Sequence, residues 1–118
     1  MNLYEEIQER LPRGELLCQL SEEASELAKA ALKLRRAEDG TNPTPVTVEE
    51  ATDNLLEEIG DVLLCLEVLE IDLLHEKIDG STHSKLSRWV RRLNEDDEKR
   101  KREREDSESD LVDDLTWF

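Results

Sequence analysis

The chain has 118 residues, of which 40% are charged and only 3% aromatic, and its formal net charge is −15. That length supports one domain's core, and the acidic balance disfavours nucleic acid and anionic membrane surfaces, both of which demand a basic face. No apolar stretch is long and charge-free enough to span a bilayer.

With Tyr4, Trp89, Trp117 and Phe118 as the aromatic residues and few β-branched runs, the core must be built from Leu, Ile, Val and Ala at helical spacing. This predicts an all-α, four-helix bundle-like fold with long central helices. Residues 2–11 (NLYEEIQERL) form a short helix ended near Pro12 and Gly14. A second helix runs from about Gly14 to Ala37, with Leu17, Leu20, Ala24, Leu27, Ala28, Ala31 and Leu34 as its buried stripe and Gln19, Glu23, Glu26 and Lys33 along the border. Cys18 and Cys65 sit inside apolar helical patterns and no charged-then-apolar leader opens the chain, which suggests a reduced, cytoplasmic protein.

Residues 38–46 (EDGTNPTPV) read as a loop. Thr47 with Glu50 three residues on is a capping-box pattern, so a third helix is expected from there to about Lys77, roughly 45 Å at ~1.5 Å per residue. Its stripe is Leu55, Ile59, Val62, Leu66, Leu69 and Leu73, while Leu64, Val68 and Ile71 face elsewhere and would leave an exposed patch suited to a second copy of the chain. A loop around Asp79 to Thr82 precedes a fourth helix with an apolar face of Leu86, Trp89, Val90 and Leu93 and a basic face including Lys85, Arg88 and Arg92. The helical domain thus covers 1–94. Residues 95–118 are a charged helix extension fading into disorder, then an acidic tail in which Leu111, Val112, Leu115, Trp117 and Phe118 either dock on the bundle or are offered to a protein partner.

The chemistry-bearing residues are two acid pairs at i and i+3 beside apolar stripes: Glu23 with Glu26 on the second helix, Glu58 with Asp61 on the third. If these helices run antiparallel, four carboxylates share one cleft. Oxygen-only ligation suits Mg²⁺ or Mn²⁺, and the lack of well-placed His or Cys argues against zinc. In so acidic a chain such pairs also arise by chance and mark a solvated face.

The segments LSEEASELAKA (20–30) and LLEEIGDVLLCL (55–66) resemble the two signature helices of the MazG-like all-α nucleoside triphosphate pyrophosphohydrolases, E-x-x-E followed by E-x-x-D on the next long helix. The resemblance covers about Leu16 to Leu74. It implies Mg²⁺-dependent conversion of an NTP or dNTP to the monophosphate and pyrophosphate, with Glu23, Glu26, Glu58 and Asp61 as metal-holding catalytic residues, in a homodimer or dimer of dimers. Lys33, Lys85 and Arg88 are candidates for phosphate contact; the alternatives are helix-dipole complementation and surface ion pairs. The interval between the motifs is longer than the family's usual one, no base-reading motif accompanies them, and the tail has no counterpart in short members. The competing function is a non-catalytic helical dimer that binds a protein through its acidic face and apolar tail.

Overall fold

The computed structural model describes residues 1–40 and 46–115, with side chains described as far as residue 109. Among these there is no strand, and the order is α1 (Leu3–Arg10), α2 (Arg13–Asp39), α3 (Val48–Val68) and α4 (Glu76–Leu115). The chain divides into two compact units, Met1–Asp72 and Leu73–Phe118. Among the described residues no helix is long and apolar enough to cross a membrane.

Local chemistry sets the ends of α1 and α2. Asn2 and Glu5 form a reciprocal capping box, and Leu11 is extended, as the residue before Pro12 must be. α2 ends on Gly40 in the left-handed region (φ 65°), whose N–H reaches the Arg36 carbonyl at 3.0 Å.

The centre of the first unit is the antiparallel pair α2 and α3. On α2 the buried or half-buried residues include Leu16, Leu20, Glu23, Leu27, Ala30, Leu34 and Ala37; on α3 and its C-cap they include Ala51, Leu55, Glu58, Val62, Cys65 and Leu69. Both series alternate steps of four and three, the repeat that keeps one seam of each helix turned to its neighbour. Glu23 opposite Glu58 puts Ala30 opposite Ala51, and these two alanines are 2% and 1% exposed, which lets the backbones approach closely. The expected stripe is therefore displaced. Leu17, Ala24, Ala28 and Ala31 are exposed, as is Ile59, because the seam runs through Glu23 and Glu58 rather than along the most apolar line.

α3 is shorter than expected. It starts at the Thr47 cap, whose Oγ1 accepts from the Glu50 N–H at 3.1 Å, and stops at Val68 instead of Lys77. The stop is a Schellman motif: the Ile71 N–H donates to the Leu66 carbonyl (3.0 Å), the Glu70 N–H to the Glu67 carbonyl (2.9 Å), and Glu70 has φ 59°. Carbonyls freed at this end are taken up by other helices. Gln8 Nε2 donates to the Val68 carbonyl at 2.9 Å and Arg13 Nη1 to that of Leu69 at 3.4 Å. Tyr4 Oη donates to Glu67 at 2.9 Å, a bond that raises the phenol's pKa. Val68, expected on an exposed patch, is 5% exposed beneath α1.

Because Glu70 holds a conformation that favours glycine, Glu70→Gly should stabilise the chain by about 0.5–1 kcal/mol. Its side chain contributes one exposed 3.3 Å contact from Gln8, too weak to reverse the sign. A higher urea midpoint at unchanged slope is the expected readout; a lower one would contradict the backbone argument.

In the second unit α4 starts at Glu76 and passes through Gly80, where a loop over Asp79 to Thr82 is expected from the sequence. Thr82 Oγ1 donates back to the Ile78 carbonyl at 2.7 Å, so its hydroxyl is used inside the helix. The helix continues through the charge run to Leu115; Trp117 and Phe118 lie outside the described residues.

Candidate metal centre

At one level of the α2–α3 pair the seam carries acids where the neighbouring levels carry Leu or Val. Glu23 comes from α2, Glu58 from α3, and Asp61 follows Glu58 by one turn, so the E-x-x-D spacing places both acids of α3 on one face. All three are half-buried, and one carboxylate oxygen of each lies within 4.8 Å of those of the other two.

The cluster is under electrostatic pressure. Loss of solvent on burial raises the pKa of Glu58, and the charges of Asp61, Glu23, Glu26 and Glu57 push it further in the same direction. Gln19, one turn before Glu23, donates from Nε2 to Glu23 Oε1 at 2.9 Å and fixes that carboxylate. Its position four residues ahead of an acid is the sequence signal for this contact, visible at first only as the border of a stripe.

Not every expected residue joins the cluster. Glu26 is exposed at the rim and paired with Lys29 at 3.3 Å, though its charge reaches Glu58. Lys33 is half-buried on α2, about 15 Å along the helix from Glu23 at ~1.5 Å per residue. Lys85 and Arg88 belong to the second unit, where with Trp89 and Arg92 they line a surface groove on α4.

The donor set fits a small hard cation. Mg²⁺ takes oxygens at ~2.0–2.1 Å, so ligands side by side on it lie ~2.9 Å apart and ligands on opposite sides ~4.2 Å, and the carboxylate oxygens, within 4.8 Å of one another, have to draw together to reach that spacing. Cys65, one turn beyond Asp61, is a poor competitor. Burial first, then the charges of Glu23 and Asp61, raise its pKa and keep it a thiol, whereas a soft metal needs the thiolate.

The two edges of the seam differ. Gln19, Glu26 and Lys33 flank it on α2 on the same side as Asn54, Asp61 and Val68 of α3, since like edges meet in an antiparallel pair. The opposite edge carries Leu17, Ala24 and Ala31 from α2 and Thr52, Ile59 and Leu66 from α3. The acids therefore open on one edge and the other is apolar. Compared with known proteins, the chain matches no family model, no curated protein and no solved structure.

Proposed function

We propose that the chain is a Mg²⁺-dependent nucleoside triphosphate pyrophosphohydrolase of the MazG-like all-α type, acting as a homo-oligomer. The observation that carries this reading is the convergence of Glu23, Glu58 and Asp61, the acids of an E-x-x-E and an E-x-x-D helix, at the seam of one antiparallel pair. Those three residues would hold Mg²⁺ or Mn²⁺, with Glu26 available at the rim once it leaves Lys29. When bound, the metal supplies positive charge for the phosphates and Lewis-acid activation of water. Gln19 keeps Glu23 aimed into the cluster. Glu57, the exposed residue before Glu58, is the proposed acceptor for a proton from attacking water.

Incubation with a panel of NTPs and dNTPs, with and without Mg²⁺, tests the proposal. Equal amounts of nucleoside monophosphate and pyrophosphate, formed only with the metal, are expected. Orthophosphate release, or no turnover of any nucleotide, would contradict it. The second reading, an interaction module, draws on α4, whose Leu86, Trp89, Val90 and Leu93 are each more than half exposed. The same panel separates the two.

A further inference from the structure

Every residue of α4 from Glu76 to Ser109 is exposed, including the large apolar Leu86, Trp89, Val90 and Leu93. Charge along this helix is segregated into blocks. Residues 85–92 carry four bases and no acid, 95–98 (EDDE) four acids, 99–102 (KRKR) four bases, and 103–110 five acids with Arg104. The blocks therefore run +4, −4, +4 and −4 along the axis. Among the described residues Arg91–Glu95, at 3.8 Å, is the ion pair of this stretch, so the blocks at 96–98 and 99–102 are not neutralised within the helix.

We infer that α4 pairs antiparallel with the α4 of a second copy, centred between Glu98 and Lys99. Turned end for end about that point, the second helix presents 99–102 to 95–98 and 103–110 to 87–94, so each block meets one of opposite sign, and the two-fold symmetry makes every such meeting occur twice. Charge of this kind acts over a Debye length of ~8–10 Å, so the sign of a whole block decides the register rather than any single contact. A seam accompanies it. Val90, Leu93, Asp97, Arg100, Arg104 and Ser107 recur in steps of three and four, and this register sets Asp97 against the second copy's Arg100 and Leu93 against the aliphatic stem of its Arg104. Other arrangements put like charges together. A parallel pair sets Asp97 on Asp97 and Arg100 on Arg100, and sliding the antiparallel pair by one heptad sets Arg100 on Arg104 in one direction and Arg91 on Lys99 in the other. Exposed ion pairs contribute only ~0–1 kcal/mol each, so this contact does not join chains at micromolar concentration by itself. It closes between chains that the homo-oligomer already holds at high effective concentration, and it rests on that assembly rather than on the chemistry proposed for it.

Disulfide trapping of the full chain tests this, in a background carrying Cys18→Ser and Cys65→Ser. Val90→Cys and Ser107→Cys face each other across the proposed pair but lie ~25 Å apart along one helix at ~1.5 Å per residue, too far to bond within a chain. The double variant is expected to form cross-linked dimer at least tenfold faster than either single variant. Adding Glu95→Lys, Asp96→Lys, Asp97→Lys and Glu98→Lys together should slow trapping at least tenfold at unchanged helix content. Adding Lys99→Glu, Arg100→Glu, Lys101→Glu and Arg102→Glu to that chain should restore it, because opposite blocks meet again. Trapping of Val90→Cys alone as fast as the double variant would overturn the antiparallel pair. A parent that sediments as an oligomer while the double variant does not cross-link would also overturn it, and would leave the homo-oligomer standing. Trapping as expected in a chain that hydrolyses no triphosphate keeps the α4 pair and removes the hydrolase reading.

Discussion

Glu58→Gln and Asp61→Asn are each expected to abolish Mg²⁺-dependent hydrolysis while preserving helix content, and Glu58→Gln is expected to melt higher than the parent chain without divalent ions. The activity loss should exceed the ~10–100-fold typical of losing an outer-shell partner, because a direct ligand is removed. The stability gain follows from crowding: Glu58 carries a charge that burial and four neighbouring acids disfavour. Its folded-state pKa lies above its unfolded value, so between the two the native state binds more protons and stability falls as pH rises. The penalty is complete above the folded pKa and absent below the ordinary value of 4.5. The advantage of Glu58→Gln should therefore be present at pH 7 and vanish on acidification. Adding Mg²⁺ should raise the melting temperature of the parent and leave the variant almost unmoved, since a ligand stabilises only what it binds. Melting curves in EDTA and in Mg²⁺ at two pH values read all of this. A variant that keeps full activity, or whose advantage grows as pH falls, would remove Glu58 from the site.

The acid pairs were legible in the sequence because three-residue spacing within a helix translates directly into a shared face. Glu23 meeting Glu58 and Asp61 also follows from the antiparallel course of the two helices. What the sequence hid depended on partners far along the chain. The segment from Leu66 to Ile71 contains no Gly, Asn or Pro to mark a helix end. The end is made by Gln8 and Arg13, some 60 residues away, taking up its carbonyls. Gly80, Ser81 and Thr82 look like a loop by composition, yet α4 runs through them, with the Thr82 hydroxyl turned back onto its own helix. The charge run after Asn94 is rich in Glu, Lys and Arg, good helix formers. Propensity and pairs such as Arg91–Glu95 at 3.8 Å extend α4 without an apolar face. The seam lies about one residue away from the line hydropathy predicts, because a purely apolar stripe excludes Glu23 and Glu58, the residues that define the site.

The displaced seam changes which surface is free for assembly. Apolar residues lie instead on the edge opposite the acids: Leu17, Ala24, Ala28 and Ala31 on α2, expected to face α3 within one chain, and beside them Leu56, Ile59 and Leu63 on α3. All are exposed, and alanines at helical spacing beside larger side chains form a surface that a second helix pair can approach closely. We expect a homodimer through this edge, which leaves the acid cluster and the Gln19 edge open in each copy. In an isologous interface every substitution occurs twice, so Ile59→Glu or Leu63→Glu withdraws two apolar side chains and inserts two charges. At about 1.5–3 kcal/mol per buried side chain, such a change removes roughly 3 kcal/mol or more, enough to weaken a micromolar dimer about 100-fold. Sedimentation at micromolar concentration should find the parent dimeric and both variants monomeric. Asp53→Lys, which changes charge on the outer face of α3, should remain dimeric. A monomeric parent, or dimers unaffected by Ile59→Glu and Leu63→Glu, would place the contact elsewhere, and the exposed Leu86, Trp89, Val90 and Leu93 of α4 would be the next surface to test.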